Sequence, residues 1–274
     1  MDMKLQNELI ELHQHKRAIL AANFYNLETL YGIMQAAKEE NNPIILQLSE
    51  SSLKYMRLEM AAKMAYQAIA DFDVEAWVHL DHGANIDLVQ KCLDTGFQSV
   101  MIDASEKPFD ENIKITAEVV KRAQSYGANV EAELGYVAKL NQSQGKTGFT
   151  QPKEAKQFVD ATGINALAVA VGTAHGFYKE EPKIEIDLLD EINHTVNIPL
   201  VLHGCSGVPD LSLQQAIARG VTKINLATEI KNTFMKQLKH ELNNSDEIDL
   251  RIVFPKATAC VVELIRKKIK TING

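Results

Sequence analysis

The sequence predicts a (β/α)8 barrel, and three observations lead there. Short apolar runs rich in β-forming residues alternate with longer stretches of helix formers whose apolar residues recur at three-and-four spacing. Continuous apolar strands separated by helices make a parallel sheet buried on both faces. Eight such units fit within 274 residues, and a closed barrel of eight units takes about 250.

The strand runs are Ala18–Phe24, Pro43–Leu48, Glu75–Leu80, Gln98–Ile102, Asn129–Leu134, Ala166–Val171, Ile198–Leu202 and Thr222–Leu226. Between them, Leu53–Ala70, Asn112–Tyr126, Pro152–Thr162 and Leu211–Arg219 read as helices. Asp210 and Thr228 stand where N-caps belong. A last helix, Lys256–Ile269, extends the chain past the eighth unit. Val137–Gln151, rich in Gln, Gly, Ser and Thr, is expected to be a mobile loop over the barrel mouth. No linker or low-complexity tract divides residues 1–274, so one domain is expected. An open doubly wound sheet is the alternative. The chain has no GxGxxG turn after its first strand, which weakens the dinucleotide-binding version of it.

Composition narrows the function classes. Hydrophobic residues make up 46%, enough for a sizeable core, and the net charge is −7. There is no long basic run, so neither a nucleic-acid footprint nor a membrane-surface helix is expected. Cys92, Cys205 and Cys260 are odd in number, widely spaced and form no CxxC, which points to a reducing cytoplasm. Met1 to Lys16 is too polar for a signal peptide. No run approaches the ~18–20 apolar residues of a membrane span.

In a barrel, active sites lie at the C-terminal ends of the strands. Those positions here hold Asn23, Ser49, Asp81, His82, Asp103, Glu133, His175, His203 and Asn225. Strands built only for stability have no need of carboxylates and imidazoles there. His82, His175 and His203 each end an apolar run beside a Gly or an Asp. Three imidazole ligands with one open position is the pattern of a catalytic zinc. Their separation is too long for a zinc finger and suits a site assembled from several strand ends. Asp81, next to His82, is a ligand or a proton carrier. Asp103 and Glu133 are read as a second metal position or as groups that orient the histidines. Glu131 reads as a paired interior residue, and His79 as a packed interior histidine. His13, His15, His194 and His240 fall on polar helical stretches and are expected to be solvated. The loops after strands seven and eight form the usual phosphate site of such barrels. Here they are His203-Gly204-Cys205-Ser206-Gly207 and Asn225-Leu226-Ala227-Thr228, the second leading into a helix N-terminus that favours an anion. Cys205 has no His–Asp relay in the sequence and reads as a small loop residue rather than a nucleophile.

At these motifs the chain resembles the class II, zinc-dependent ketose-bisphosphate aldolases, which include fructose- and tagatose-bisphosphate aldolases. The matching segments are Ala22-Asn23-Phe24-Tyr25-Asn26-Leu27-Glu28, His79–Gly83, Ser99–Ser105, Glu131–Gly135, Leu167–Tyr178, Pro199–Pro209 and Val221–Glu229. They cover nearly the whole chain. Asn-Leu-Ala-Thr-Glu at 225–229 looks closer to the tagatose-type branch. The resemblance implies Zn2+ on His82, His175 and His203, binding the ketose oxygens and stabilising the enediolate left by carbon–carbon cleavage. It implies that Asp81 moves the C4 hydroxyl proton. Asn23 and Ser49 join the substrate site, and Gly176, Gly204, Cys205, Ser206, Asn225, Ala227 and Thr228 line the phosphate site. Arg251 resembles an arginine that reads the far phosphate. A monovalent cation (Na+ or K+) near the phosphate and a homodimer or homotetramer also follow from the resemblance. The only partner it implies besides further copies is a small sugar phosphate.

The chain departs from the family pattern at three places. Relatives carry acidic residues in the loop after the Glu-Leu-Gly strand, one of them a proton carrier, whereas Ala138–Phe149 reads AKLNQSQGKTGF with no Asp or Glu. Water or Tyr136 is a candidate replacement. Ser49-Glu50-Ser51-Ser52 lacks a glycine common there, and Asn85 replaces a frequent serine. Two other readings stay open at this point: an aldolase for another deoxy or keto-acid phosphosugar, and a sugar-phosphate-binding relic with low turnover. No lysine is read at a strand end, which argues against a Schiff-base aldolase.

Overall fold

A computed structural model describes residues 4–135, 148–178 and 180–274, with the backbone of 138 and 139. Most of the expected loop over the mouth, and Tyr136 with it, lies outside the described residues.

Eight parallel strands close into a barrel: β1 (Ile19–Asn23), β2 (Ile44–Ser49), β3 (Ala76–Gly83), β4 (Ser99–Ile102), β5 (Asn129–Leu134), β7 (Ala166–Val169), β9 (Leu200–Leu202) and β10 (Val221–Leu226). The short β6 (Ala138–Lys139) and β8 (Ala174–His175) pair with each other outside the barrel. All eight expected runs are barrel strands, and the fold is a TIM barrel. The open sheet is excluded because β1 pairs with both β2 and β10.

Side chains alternate along a strand, and this divides the core in two. Val78 and Leu80 of β3 belong to the layer between sheet and helices, whereas Trp77 faces the barrel interior with Ile19, Ala21, Ile45 and Met101. The first helix, α1 (Leu5–Gln14), closes the N-terminal end of the barrel by inserting Leu5, Leu9 and Leu12 into that interior cluster. Burying such a leucine fully contributes about 1.5–3 kcal/mol. Toward the other end the interior becomes polar, with Gln47, His79, Ser99, Asn129, Glu131 and Lys223 all buried.

Around the sheet run α2 (Leu27–Glu39), α3 (Glu50–Met56), α4 (Leu58–Phe72), α5 (Ile86–Asp94), α6 (Phe109–Gln124), α7 (Pro152–Thr162), α8 (Ile186–Val196), α9 (Asp210–Ala218) and α10 (Thr228–Asn244). The chain ends in α11 (Leu250–Asn273), packed on α2 and α10. Local chemistry sets several of these starts. The Asn26 side chain accepts from the Thr29 amide while Thr29 Oγ1 accepts from the Asn26 amide, a reciprocal cap. Asn85 caps α5 by accepting from the Leu88 amide, so an amide oxygen does there what a serine hydroxyl does equally well.

Four expectations need correction. The stretch read as one helix over 53–70 is two, α3 and α4, broken at Arg57, whose φ of 67° leaves the helical region. Asp210 and Thr228 are the first helical residues of α9 and α10 rather than their N-caps, which are Pro209 and Ala227. The last helix starts at Leu250, not after Pro255: the proline sits inside it, and Asp249 caps it by accepting from the Arg251 amide. His13 is half-buried rather than solvated, and burial lowers its pKa.

Candidate metal centre and active site

The site grows out of an irregularity in β3. The pairing of β3 with β4 shifts register between Leu80 and Gly83, and His82 has a φ of 49°. Such a backbone costs a non-glycine residue about 1–3 kcal/mol and persists where its surroundings fix it. Neighbouring residues on a regular strand point to opposite faces. The bulge cancels that alternation, so Asp81 and His82 both reach the same interior.

His82, His175, His203 and Glu133 offer ligand atoms that all lie within 4.8 Å of one another. His203 follows β9 directly. His175 does not end a barrel strand, as the sequence suggested. β7 stops at Val169, and His175 sits beyond it on the two-residue β8. The imidazoles meet edge to face, with ring centroids 4.6 Å apart for His82 and His203 and 4.9 Å for His82 and His175.

Two carboxylates fix which ring nitrogens face inward. A carboxylate only accepts, so His82 Nδ1–H donates to Asp103 Oδ2 at 2.7 Å and His203 Nε2–H donates to Glu131 Oε1 at 2.8 Å. The remaining nitrogens, His82 Nε2 and His203 Nδ1, then confront each other at 2.9 Å. In neutral rings both carry lone pairs. Only a shared proton or a cation makes that approach favourable, so the donor set fits a bound metal ion. Burial alone would lower the His82 imidazole, but the Asp81 and Asp103 carboxylates outweigh it and raise its pKa to about 9. Burial, aided by the His82 charge, holds His203 well below its ordinary value. Asp103 therefore orients His82 from outside the cluster, while Glu133 is a member of it.

Beneath this cluster lies a buried network that strand-end reasoning missed in part. Lys223 Nζ pairs with Glu131 Oε2 at 2.9 Å and donates to Asn225 Oδ1 at 2.8 Å. The signal was present as a lysine in the middle of an apolar strand run. His79 is fully buried and shares a 2.7 Å hydrogen bond with Ser99, as expected of a packed interior histidine. Asp81 Oδ2 accepts from Asn23 Nδ2 at 2.8 Å, and Asn23 Oδ1 accepts from Gln47 Nε2 at 3.0 Å. Among the described residues Asp81 Oδ1 has no hydrogen-bond donor, and it lies 3.9 Å from His82 Nε2. Burial would raise this carboxyl, but His82, His203 and Lys223 prevail and its pKa is lowered.

Asn23, Asp81, His175 and His203 line one cavity at the C-terminal end of the barrel, together with the expected phosphate residues. Gly176, Gly204, Cys205 and Ser206 form one side, and Asn225, Ala227 and Thr228 the other. Ser206 Oγ accepts from the Glu229 amide and so ties the loop after β9 to the start of α10. Burial pushes the Cys205 thiol up to about 12, which leaves it no thiolate for nucleophilic attack at neutral pH. Ser49 and Arg251 do not line this cavity. Ser49 caps α3 by accepting from the Ser52 amide, and the exposed Arg251 pairs with Asp249 at 2.7 Å.

The family described as fructose-bisphosphate aldolase class-II matches residues 3–274. The chain belongs to the class II fructose-bisphosphate aldolase family. It is thereby a class II aldolase, a lyase, of a family that acts on sugar phosphates. The aldolase is 37% identical over 274 residues to the fructose-bisphosphate aldolase of Staphylococcus epidermidis, covering 98% of this chain and 96% of the relative. It is 33% identical over 295 residues to that of Helicobacter pylori, covering 97% and 96%. Among solved structures, the YdjI aldolase of Escherichia coli K12 superposes with a TM-score of 0.89 at 31% identity, covering 99% of this chain and 97% of that one. The fructose-bisphosphate aldolase of Campylobacter jejuni, at 21% identity and a TM-score of 0.83 with 98% and 94% covered, bears on the fold alone.

Proposed function

We propose that the protein is a zinc-dependent aldolase that reversibly cleaves a ketose bisphosphate of the fructose or tagatose 1,6-bisphosphate type. The products are dihydroxyacetone phosphate and an aldehyde such as glyceraldehyde 3-phosphate. The observation that carries this reading is the pair of facing nitrogens on His82 and His203, beside the free oxygen of Asp81. Names of relatives at 37% identity favour the fructose substrate, and the Asn-Leu-Ala-Thr-Glu motif at 225–229 favours the tagatose epimer. The relic reading finds no support in this site, where the three histidines and Asp81 stand together.

Zinc held by His82, His175 and His203 would supply a Lewis acid that polarises the ketose oxygens. Glu133, in the same cluster, would offer its carboxylate to a metal there, and Asp103 and Glu131, which accept from His82 and His203, would orient those imidazoles. The Gln47–Asn23 chain fixes Asp81 through Oδ2 and leaves Oδ1 to take the proton of the C4 hydroxyl. The C3–C4 bond then breaks. C4 becomes the aldehyde carbon of one product, and the electron pair stays with C3 of the three-carbon phosphate. In condensation Asp81 returns the proton. The phosphate of that fragment would be held by the glycine-bearing loop after β9 and the N-terminus of α10, with a monovalent cation beside it. Water or Tyr136, in place of the absent loop acid, delivers the proton that C3 takes up to become dihydroxyacetone phosphate. The three unpaired cysteines suit a cytoplasmic protein, and the exposed Leu27, Tyr31 and Leu250 suit a homodimer or homotetramer.

The test is triose-phosphate release by zinc-loaded protein from fructose and tagatose 1,6-bisphosphates, assayed separately with a chelator control. Chelator-sensitive release from one epimer sets the substrate. No release from either, with zinc bound, would overturn the ketose-bisphosphate assignment.

A further inference from the structure

We propose that Tyr178 is a positioning residue that straps the loop carrying His175 to the loop carrying His203, and so sets the spacing of two metal-binding imidazoles. The proposal rests on the metal reading above.

Of the three histidines, His175 stands off the barrel ladder. Among the described residues its strand, β8, pairs with β6 and takes no part in the barrel sheet. One tie to the barrel is the Tyr178 hydroxyl. It accepts the Ala174 amide at 2.6 Å and donates to the Gly204 carbonyl at 2.8 Å. Ala174 immediately precedes His175, and Gly204 immediately follows His203. One hydroxyl thus joins the residues adjacent to both imidazoles, a task that needs a group able to donate and accept at once.

A second observation points the same way. Gly204 has a φ of +69°, and a Cβ there would stand 2.4 Å from the Ala174 carbonyl oxygen. The two loop backbones are therefore stacked in contact, and the glycine is what lets the strap close. Burial raises the Tyr178 hydroxyl to about 12, so it keeps its proton and its donor role throughout the neutral range.

The experiment compares wild type, Tyr178→Phe and a control, Phe177→Leu, on the same loop. Zinc affinity is read by competition with a chromophoric chelator, and exchange of the Ala174 amide by NMR. Tyr178→Phe keeps the ring and removes only the hydroxyl. Its zinc affinity should fall at least tenfold, within the range seen when groups behind metal ligands are removed. Its Ala174 amide should lose protection, and Phe177→Leu should change neither. Zinc affinity equal to wild type in Tyr178→Phe would overturn the strap. If wild type binds no zinc, the metal reading itself falls, and Ala174 exchange still decides whether the strap exists. If Tyr178→Phe does not fold, wild type decides. Its Ala174 amide must exchange more slowly than those of the exposed Glu180 and Glu181, and equal rates would overturn the proposal.

Discussion

Asp81 and Lys223 are two buried charges held in different ways. Asp81 has one oxygen fixed by Asn23 and the other free. Asp81→Asn preserves the shape and removes the base, so kcat should fall by about 10²–10⁴, with zinc stoichiometry unchanged. Steady-state assays paired with metal analysis check this, and full activity in the variant would remove Asp81 from the mechanism. Lys223 is different, because its ammonium neutralises Glu131 in a fully buried setting. Lys223→Met leaves that carboxylate without its counter-ion and should destabilise the fold by about 3–5 kcal/mol. Urea unfolding measures it. The double variant with Glu131→Gln should recover part of the loss, because residues in direct contact are coupled.

At the scale of elements, α1 and β3 divide the work between the two ends of the barrel. α1 is a plug whose Leu9 is wholly buried against the interior cluster. Leu9→Ala should cost about 2–5 kcal/mol, read as a lower midpoint in urea. Zinc affinity should not change, since the cluster sits at the opposite end of the strands. A parallel loss of zinc would show that the plug and the site are coupled. In β3 the bulge at His82 does what no regular strand can, turning two consecutive residues to one site.

Across the whole molecule, acid should be the weak side. His79 and His203 are buried with pKa values well below the ordinary 6.5. As pH falls below about 6.5, the unfolded chain takes up protons at both while the folded chain does not, so stability drops. His82 has the opposite sign. Its folded pKa of about 9 gives stability that is complete below 6.5 and is lost as pH rises through 9, so it adds no slope on the acid side. Melting temperatures of metal-free protein should therefore decline from pH 6.5 to 5, and more shallowly in His79→Gln. A metal that binds only the folded state adds about 2.7 kcal/mol of stability at a hundredfold its Kd. A chelator should lower the melting temperature by several degrees, and no shift would argue against a held metal.

The eight strands, the barrel and most of the polar strand-end groups are legible in the amino-acid order alone, although His175 proves to lie beyond its strand on β8. Those follow from local periodicity: strand side chains alternate, and active-site residues gather where parallel strands end. The amino-acid order also held the signal for His79 as an interior residue. Which of the strand-end groups converge depends on how distant strands and loops pack together. Asp103 went behind His82 and Glu133 into the cluster, while Ser49 went to a helix cap and Arg251 to an exposed ion pair. The same packing forms the Lys223–Glu131 pair and the Tyr178 strap, which join residues from distant strands and loops. The break at Arg57 and the bulge at His82 were invisible for the same reason. A positive φ on a non-glycine residue is imposed by packing around it, and no local preference of arginine or histidine announces it.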